Sequence, residues 1–342
     1  MGRFRSGVAA AVGLVVLVVT GCGGSAGGND PSASEGSAQG PITVTSCGRE
    51  VVFDSPPESV LAIGSEAPAL LEAAGAGDTV THYAGSLEVP FDEKVKDTVT
   101  KAERVLEDSH DVSFETIINT GADVAIGTDI SASMDINALA DRLAQAGVQV
   151  LTVSNYCAGV EGGAAEGEQP GFDLIYRDIE SYGKLFGTET VANESIEELK
   201  GRVSAVEAKV AERSKRSAIP LYVNADGPLG GYGGQALVSE QMALLGLDNV
   251  FDDVEKRYFE PSSEEIVSAA PDVVFALHLP TGSSTLETSD DVVTELRSRP
   301  ELAGVGSVAD DNALIPLNFY YTTASPLAVD GLELLAERLG DE

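Results

Sequence analysis

The stretch FDLIYRDIESYGKLFG, residues 172–187, predicts the helix around which the rest of the chain is organised. Its apolar residues recur at steps of three and four, which places them on one helix face. These residues are Phe172, Ile175, Ile179, Tyr182, Leu185 and Phe186. Gly187 follows the last of them, as expected for a C-terminal cap. Because a segment of about domain length lies on either side, we expect one connecting helix, residues 171–188, between two lobes.

Short apolar runs alternate with helical segments in both lobes. In the N-terminal lobe, residues 41–170, we expect buried strands at 59–64, 79–83, 123–127 and 148–153. In the C-terminal lobe, residues 189–342, we expect strands at 219–224, 272–278 and 312–317, and a charge-rich surface helix over 196–215. Strands that alternate with helices predict an α/β fold with a central parallel sheet in each lobe.

The two halves also share an internal correspondence. Residues 113–126 can be laid on residues 262–275 at a constant offset, which pairs Ser113 with Ser262 and Asp123 with Asp272. Each copy is typical of a capped helix, a tight turn and a buried strand. Two lobes of similar construction favour a cleft between facing sheets, where open parallel sheets bind ligands.

The composition excludes several classes of partner. The chain has 55 acidic and 21 basic residues, a formal net charge of −34, which argues against nucleic acid and anionic lipid as partners. The three histidines disfavour a His-rich metal site, and the lack of tryptophan disfavours sugar binding by Trp stacking. We predict no metal site built by the protein. No motif supports catalysis, so the chain is not expected to be an enzyme.

The N-terminus has the features of an export signal. Arg3 and Arg5 precede an apolar run over 8–19, too short to span a bilayer. The following VTGC resembles a bacterial lipobox, which implies that residues 1–21 are a signal peptide and that Cys22 is acylated, with the protein anchored on the extracytoplasmic face of the cell membrane. An ordinary secretory signal is the alternative. Residues 22–40 lack large apolar side chains and predict a flexible tether.

Two further cysteines, Cys47 and Cys157, lie in a chain expected to enter an oxidising compartment. A bond between them would close a loop of about 110 residues and would stabilise the fold by roughly 4–5 kcal/mol in the chain-entropy model. Two free buried thiols are the alternative.

Several runs together carry a family resemblance. CGREVVFDSPPESVLAIG (47–64), AAGAGD (73–78) and FETIINTGADVAIG (114–127) resemble the N-terminal lobe of solute-binding proteins for iron–siderophore uptake. SEQMALLGLDNVFDD (239–253), EEIVSAAPDVVFAL (264–277) and SPLAVDGLELLAERL (325–339) are similar to their C-terminal lobe. The actinobacterial, lipid-anchored members of this class III family are the most similar, including the cysteine pair.

The resemblance implies a monomer of two α/β lobes joined by one long helix that permits little hinge closure. It also implies delivery of a ferric siderophore, cobalamin or haem to the permease and ATPase of an ABC importer. The family engages its permease through one glutamate in each lobe, six residues before a glycine. Glu240 has this position before Gly246, whereas Ala69 occupies it in the first lobe. We expect Glu66, one turn earlier and nearer the exposed helix start, to substitute for it.

The loops after the strands supply the candidate ligand contacts. These are Ser65, Tyr83, Thr128, Tyr156, Tyr232, Arg257, Tyr258, His278, Asn318, Phe319 and Tyr320. Tyrosine offers a flat apolar face and one hydroxyl, which suits a bulky chelate with polar edges. A family-similar loop places Arg257 against an anionic siderophore oxygen. A surface ion pair with Glu255 or Glu260 is the alternative for Arg257.

The first functional hypothesis is therefore a lipid-anchored protein that captures a ferric siderophore, with the iron held by the siderophore and no cofactor bound directly. Few basic groups favour a complex of low negative charge, such as a hydroxamate or mixed type. The alternatives are haem, bound through His82 or His278, cobalamin, and a sensor or assembly lipoprotein without transport.

Overall fold

Two β-sheets, one in each half of the chain, form the frame of the computed structural model. The structure describes residues 40–128, 136–157, 169–225, 227–280 and 286–340. The predicted signal peptide, Cys22 and almost all of the predicted tether lie outside these ranges, so cleavage and acylation stay predictions. No helix within the described ranges is long and apolar enough to cross a membrane.

The first half contains a short hairpin and a five-stranded sheet in the order β5-β4-β3-β6-β7. Its elements are β1 (Ile42–Ser46), β2 (Arg49–Phe53), β3 (Val60–Ile63), α1 (Glu66–Ala73), β4 (Val80–Ala84), α2 (Glu93–Lys101), β5 (Glu103–Leu106), α3 (Phe114–Thr120), β6 (Val124–Gly127), α4 (Ile136–Gln145) and β7 (Gln149–Thr152). All strand pairs of the sheet are parallel, and β3 and β6 are buried along their whole length. The predicted parallel sheet is confirmed.

The second half follows α5 (Phe172–Phe186) and contains a six-stranded sheet. Its elements are α6 (Glu189–Val210), β8 (Arg216–Tyr222), β9 (Gly230–Tyr232), α7 (Leu237–Leu244), β10 (Leu247–Asn249), β11 (Tyr258–Phe259), α8 (Ser263–Ala269), β12 (Val273–His278), α9 (Ser289–Ser298), α10 (Gly306–Ala309), β13 (Leu314–Asn318) and α11 (Leu327–Arg338). The strands β10, β8, β12 and β13 pair in parallel, while β9 runs antiparallel to β8 and β11. This sheet is therefore mixed.

The two segments of the internal correspondence, 113–126 and 262–275, share the same turn geometry and the same carboxylate hydrogen bond. After α3, Gly121 adopts a left-handed φ of 67°, and after α8 the paired Ala270 adopts a left-handed φ of 41°. Asp123 accepts a hydrogen bond from the backbone N–H of Ser59 at 3.0 Å, and Asp272 accepts one from Ser217 at 2.8 Å. In each lobe, the carboxylate thus ties the start of a central strand to its neighbour.

The predicted helix over 172–187 is present as α5, and Gly187 closes it with φ of 70°. Its apolar face is buried, but one acid is buried with it. Asp178 is only 4% exposed and accepts hydrogen bonds from the Ser154 backbone N–H at 2.8 Å and from its Oγ at 2.6 Å. The periodicity placed Asp178 off the buried face, because it could not show this partner after β7.

Two helices, rather than α5 alone, lie between the sheets. Helix α5 packs on α1, β1 and α6, and α6 packs in turn on α1 and α11. Arg202 of α6 binds Asp330 and Glu333 of α11, both at 2.6 Å. As expected, this second helix is charge-rich and mostly exposed, with one face buried from Ala192 to Val210, but it spans Glu189–Val210 and not 196–215.

A disulfide joins Cys47, in the turn between β1 and β2, to Cys157 beyond β7. Close to it, the buried Ser46 hydroxyl accepts a hydrogen bond from the Thr152 backbone N–H at 2.8 Å. The predicted pairing is confirmed, and it fixes the hairpin to the edge of the first sheet.

Candidate functional site

The candidate site begins where the strand order of the first sheet reverses, between β3 and β6. Ligands of open α/β sheets bind beyond the strand ends at such a point. Gly64 ends β3 with φ of +81°, and a Cβ there would lie 3.1 Å from Glu66 Oε2 and 3.5 Å from Thr128 Oγ1. A residue without a side chain thus lets Glu66 and Thr128 approach the same strand end.

Glu66 lies inside this wall and not on the outer surface. Its carboxylate is 4% exposed and accepts hydrogen bonds from the Ser65 hydroxyl at 2.9 Å and from the Tyr156 hydroxyl at 2.5 Å. The expectation of an exposed permease-docking glutamate at this position is wrong, because these two hydroxyls hold the side chain over the strand end.

Tyr156 is fixed by the residues on either side of it. Asn155 exchanges two hydrogen bonds with the backbone of Gly171, at 2.7 and 3.1 Å. Cys157 is held by the disulfide, and Ser154 by Asp178. Three separate restraints therefore orient one aromatic ring before any ligand arrives, which lowers the ordering cost of binding.

The opposite wall comes from the second half of the chain. The Arg257 guanidinium lies 5.0 Å from the centre of the Tyr156 ring, in cation–π geometry. Among the residues that the structure describes, no carboxylate lies within 4 Å of Arg257, so the alternative of an ion pair with Glu255 or Glu260 is not found. Behind it, Tyr232 packs against Tyr258 and Phe319 with ring centres 5.5 and 6.1 Å apart.

The glycine-rich run around β9 allows this wall to form. A Cβ at Gly230 would overlap the Tyr258 ring, and a Cβ at Gly233 would lie 2.6 Å from the carbonyl oxygen of Lys256. Glycine is therefore required for the segment that carries Arg257 and Tyr258 to lie against β9.

A small pocket that is open to solvent lies between the two walls. Its lining includes Tyr156, Tyr232, Arg257 and Phe319 from the predicted set. It also includes Asn155, Pro170, Gln235, Ala236, Leu237, Val238, Thr322 and Ala324. The surface offers aromatic faces, hydroxyl and amide groups and one guanidinium.

The two halves touch at Tyr320. Burial raises the pKa of Tyr320 to about 12, and a hydrogen bond with the Ser86 side chain of the first half lowers it in part. Tyr83 lies beneath this contact, with no exposed surface, and its hydroxyl donates to the Ser86 carbonyl at 2.9 Å. Burial raises the pKa of Tyr83 as well, so both hydroxyls are neutral donors at ordinary pH. Tyr83, from the first half, and Tyr320, from the second half, thus both have Ser86 as a partner.

The two histidines considered as haem ligands do not face the cavity. His278 is 5% exposed, with Nδ1 3.3 Å from the Leu286 carbonyl, and burial lowers its pKa. His82 contacts the Thr81 hydroxyl at 2.9 Å on the other side of β4 from Tyr83. His278 is not among the residues that line the pocket, and its role as a ligand contact stays a prediction.

Glu240 is half-buried at the joint between the halves. It accepts a hydrogen bond from the Phe172 backbone N–H at 2.6 Å and thereby caps the start of α5. Burial raises its pKa, and this hydrogen bond lowers it in part. Its docking role stays a prediction, and the structure gives it a local structural partner.

The remaining predicted residues lie close to the cavity but do not line it. Ser65 and Thr128 lie behind it beside Glu66, and Tyr258 packs on Tyr232 with 40% of its surface exposed. Asn318 accepts a hydrogen bond from the Tyr320 backbone N–H and shapes that turn. The sequence pattern did not indicate the buried position of Glu66, because its partner Tyr156 lies 90 residues away.

Comparisons with known proteins agree with this architecture. The sequence model of a family described as periplasmic binding protein matches residues 71–313. A Bacillus subtilis (strain 168) protein described as an uncharacterized ABC transporter substrate-binding lipoprotein, YvrC, is 22% identical over 339 residues, covering 98% of this chain and 97% of that protein.

Solved structures give the same result. The ABC-type Fe3+-hydroxamate transport system from Saccharomonospora viridis DSM 43017 superposes with a TM-score of 0.74 and 29% identity, covering 88% of this chain and 99% of that one. A periplasmic haem-binding protein from Pseudomonas aeruginosa gives 0.65 and 18% identity, over 83% and 92% of the two chains. A periplasmic vitamin B12-binding protein of Vibrio cholerae gives 0.58 and 18%, over 83% and 97%. The last two similarities show the fold alone.

Proposed function

Because this chain belongs to the periplasmic binding protein family of ABC-transporter substrate-binding proteins, we propose that it captures a ferric siderophore, of hydroxamate or mixed type, outside the cytoplasm. In this proposal the protein is a monomer anchored through Cys22, and it delivers the chelate to the permease and ATPase of an ABC importer. The siderophore holds the iron, and the protein contacts only the periphery of the chelate.

The observation that carries this proposal is the Arg257 guanidinium over Tyr156, at the edge of an aromatic cavity. A guanidinium suits the partly anionic oxygens that surround a chelated ferric ion, and flat rings suit its apolar arms. A single cation in the lining matches a chelate of low negative charge. The 29% identity to the ferric-hydroxamate transport protein supports the same ligand class.

A siderophore panel tests the ligand class. The chain lacks tryptophan, so its tyrosine fluorescence can be titrated with ferric complexes that quench nearby rings. We expect tight binding of a neutral ferric trihydroxamate and weak binding of a highly anionic ferric tricatecholate. Tightest binding of the tricatecholate would refute the charge argument.

Haem is the second candidate, favoured by the fold shared with a haem-binding protein. His82 and His278 lie away from the cavity lining, which argues against axial ligation by either ring. A Soret band from haem-loaded protein that disappears in His82→Ala would support haem and contradict the siderophore proposal.

A further inference from the structure

Glu66 is a buried carboxylate without a basic partner. It is 4% exposed, and no lysine, arginine or histidine lies within 4 Å of it in the part of the chain that the structure describes. A buried charge is costly unless a counter-charge or several hydrogen bonds compensate it. Because Glu66 is bonded to Tyr156, which lines the pocket, a ligand with a positive charge could compensate this cost.

The contacts of Glu66 compensate its charge only in part. The Ser65 and Tyr156 hydroxyls donate one hydrogen bond each, whereas an ionised carboxylate accepts about four. Glu66 also begins α1, whose N-terminal dipole favours a negative charge at this position. Acceptor capacity and negative charge therefore remain at the strand end.

Tyr156 connects this carboxylate to the cavity. Its hydroxyl donates to Glu66, while its ring face lies under the Arg257 guanidinium. The Glu66 carboxylate thus contacts the hydroxyl of Tyr156, and the Arg257 guanidinium contacts its ring face.

We propose that Glu66 is a specificity-determining residue that pairs with a protonated amine on the siderophore, while Arg257 faces the oxygens of the iron centre. The inference rests on the proposed function and deepens it by naming the ligand class: a ferric hydroxamate that carries a free ammonium group. The ammonium enters beside Tyr156 and pairs with the Glu66 carboxylate.

A matched pair of ligands tests the proposal directly. Ferrioxamine B carries a free ammonium group, and its N-acetyl derivative has the same iron centre without that charge. By isothermal titration, we expect wild-type protein to bind ferrioxamine B at least about tenfold more tightly than the acetylated form. In Glu66→Gln, which keeps the size and one acceptor oxygen, this preference should fall to about twofold or less.

Glu88→Gln is the control, because it removes an exposed negative charge near the same rim. It should keep the preference, and a preference lost equally in both variants would show a general surface effect and overturn the role of Glu66. Equal binding of the two chelates by wild-type protein would overturn the inference alone, even if Glu66→Gln does not fold. Failure of both chelates to bind would overturn the proposed function as well.

Discussion

Asp178 shows how one buried side chain sets the pH dependence of stability. Burial raises its pKa from 3.8 to about 7, although hydrogen bonds from Ser154 lower it in part. Protonation therefore favours the folded state: this contribution is fully present below pH 3.8 and is lost as the pH rises through about 7.

Asp178→Asn should remove that dependence, because the amide can still accept from the Ser154 backbone and donate to its hydroxyl. Relative to the variant, wild-type protein should lose about 2–4 kcal/mol of unfolding free energy between pH 4 and pH 8. Urea unfolding at several pH values measures the difference. A difference that does not change with pH would contradict the assignment.

Among the elements, the paired units α3–β6 and α8–β12 differ at one backbone position. Gly121 adopts the left-handed conformation without strain, whereas Ala270 has a Cβ in the same conformation. A non-glycine residue there costs roughly 1–2 kcal/mol. Exchanging glycine and alanine at these two equivalent positions therefore gives a matched pair of variants.

Ala270→Gly should raise the free energy of unfolding by about 0.5–1 kcal/mol, and Gly121→Ala should lower it by about 1 kcal/mol. Thermal or urea unfolding of the two variants beside wild-type protein measures both effects. If both substitutions shift stability in the same direction, the shared geometry does not govern these turns.

The elements with strong local pattern could be predicted from the sequence. Helix α5 and the strands β3, β6 and β12 follow their apolar periodicity, and Ser113 and Ser262 cap α3 and α8. Helix α2 was missed because only Val95 and Val99 are buried in a polar segment. Strands β9 to β11 are two or three residues long, too short for a periodic signal.

The types of residue at the site could be predicted from the sequence, but their orientations could not. The tyrosines and Arg257 follow strand ends, so fold class and residue type together indicate them. The orientation of Glu66 could not be read, because its partner Tyr156 lies 90 residues away. Likewise, His278 follows a strand end, but its ring is buried and contacts the Leu286 carbonyl.

The disulfide should contribute to stability through the loop that it closes. Cys47 and Cys157 are 110 residues apart, which corresponds to about 4–5 kcal/mol in the chain-entropy model. The Cys47→Ala, Cys157→Ala double variant should unfold at a correspondingly lower urea concentration. Reducing agent should destabilise wild-type protein and leave the double variant unchanged; equal sensitivity would contradict this role.

On the scale of the whole molecule, the two halves share a core. One cluster of buried apolar side chains extends from the first sheet through α5 and α6 to the second sheet. Large hinge closure would have to open that cluster. Small-angle scattering should therefore show a radius of gyration that changes by less than about 1 Å when ligand binds. Strong compaction would show that the two helices act as a hinge.

The central claim is that Arg257 and the aromatic cavity bind a ferric hydroxamate. Isothermal titration of wild-type protein, Arg257→Met and Lys256→Met with a neutral ferric trihydroxamate tests it most directly. The two variants lose the same charge from one exposed loop, but only Arg257 lies over Tyr156. We predict that Arg257→Met weakens binding by about 10–100-fold and that Lys256→Met changes it by less than about twofold. No binding by wild-type protein, or equal affinity of the two variants, would contradict the account.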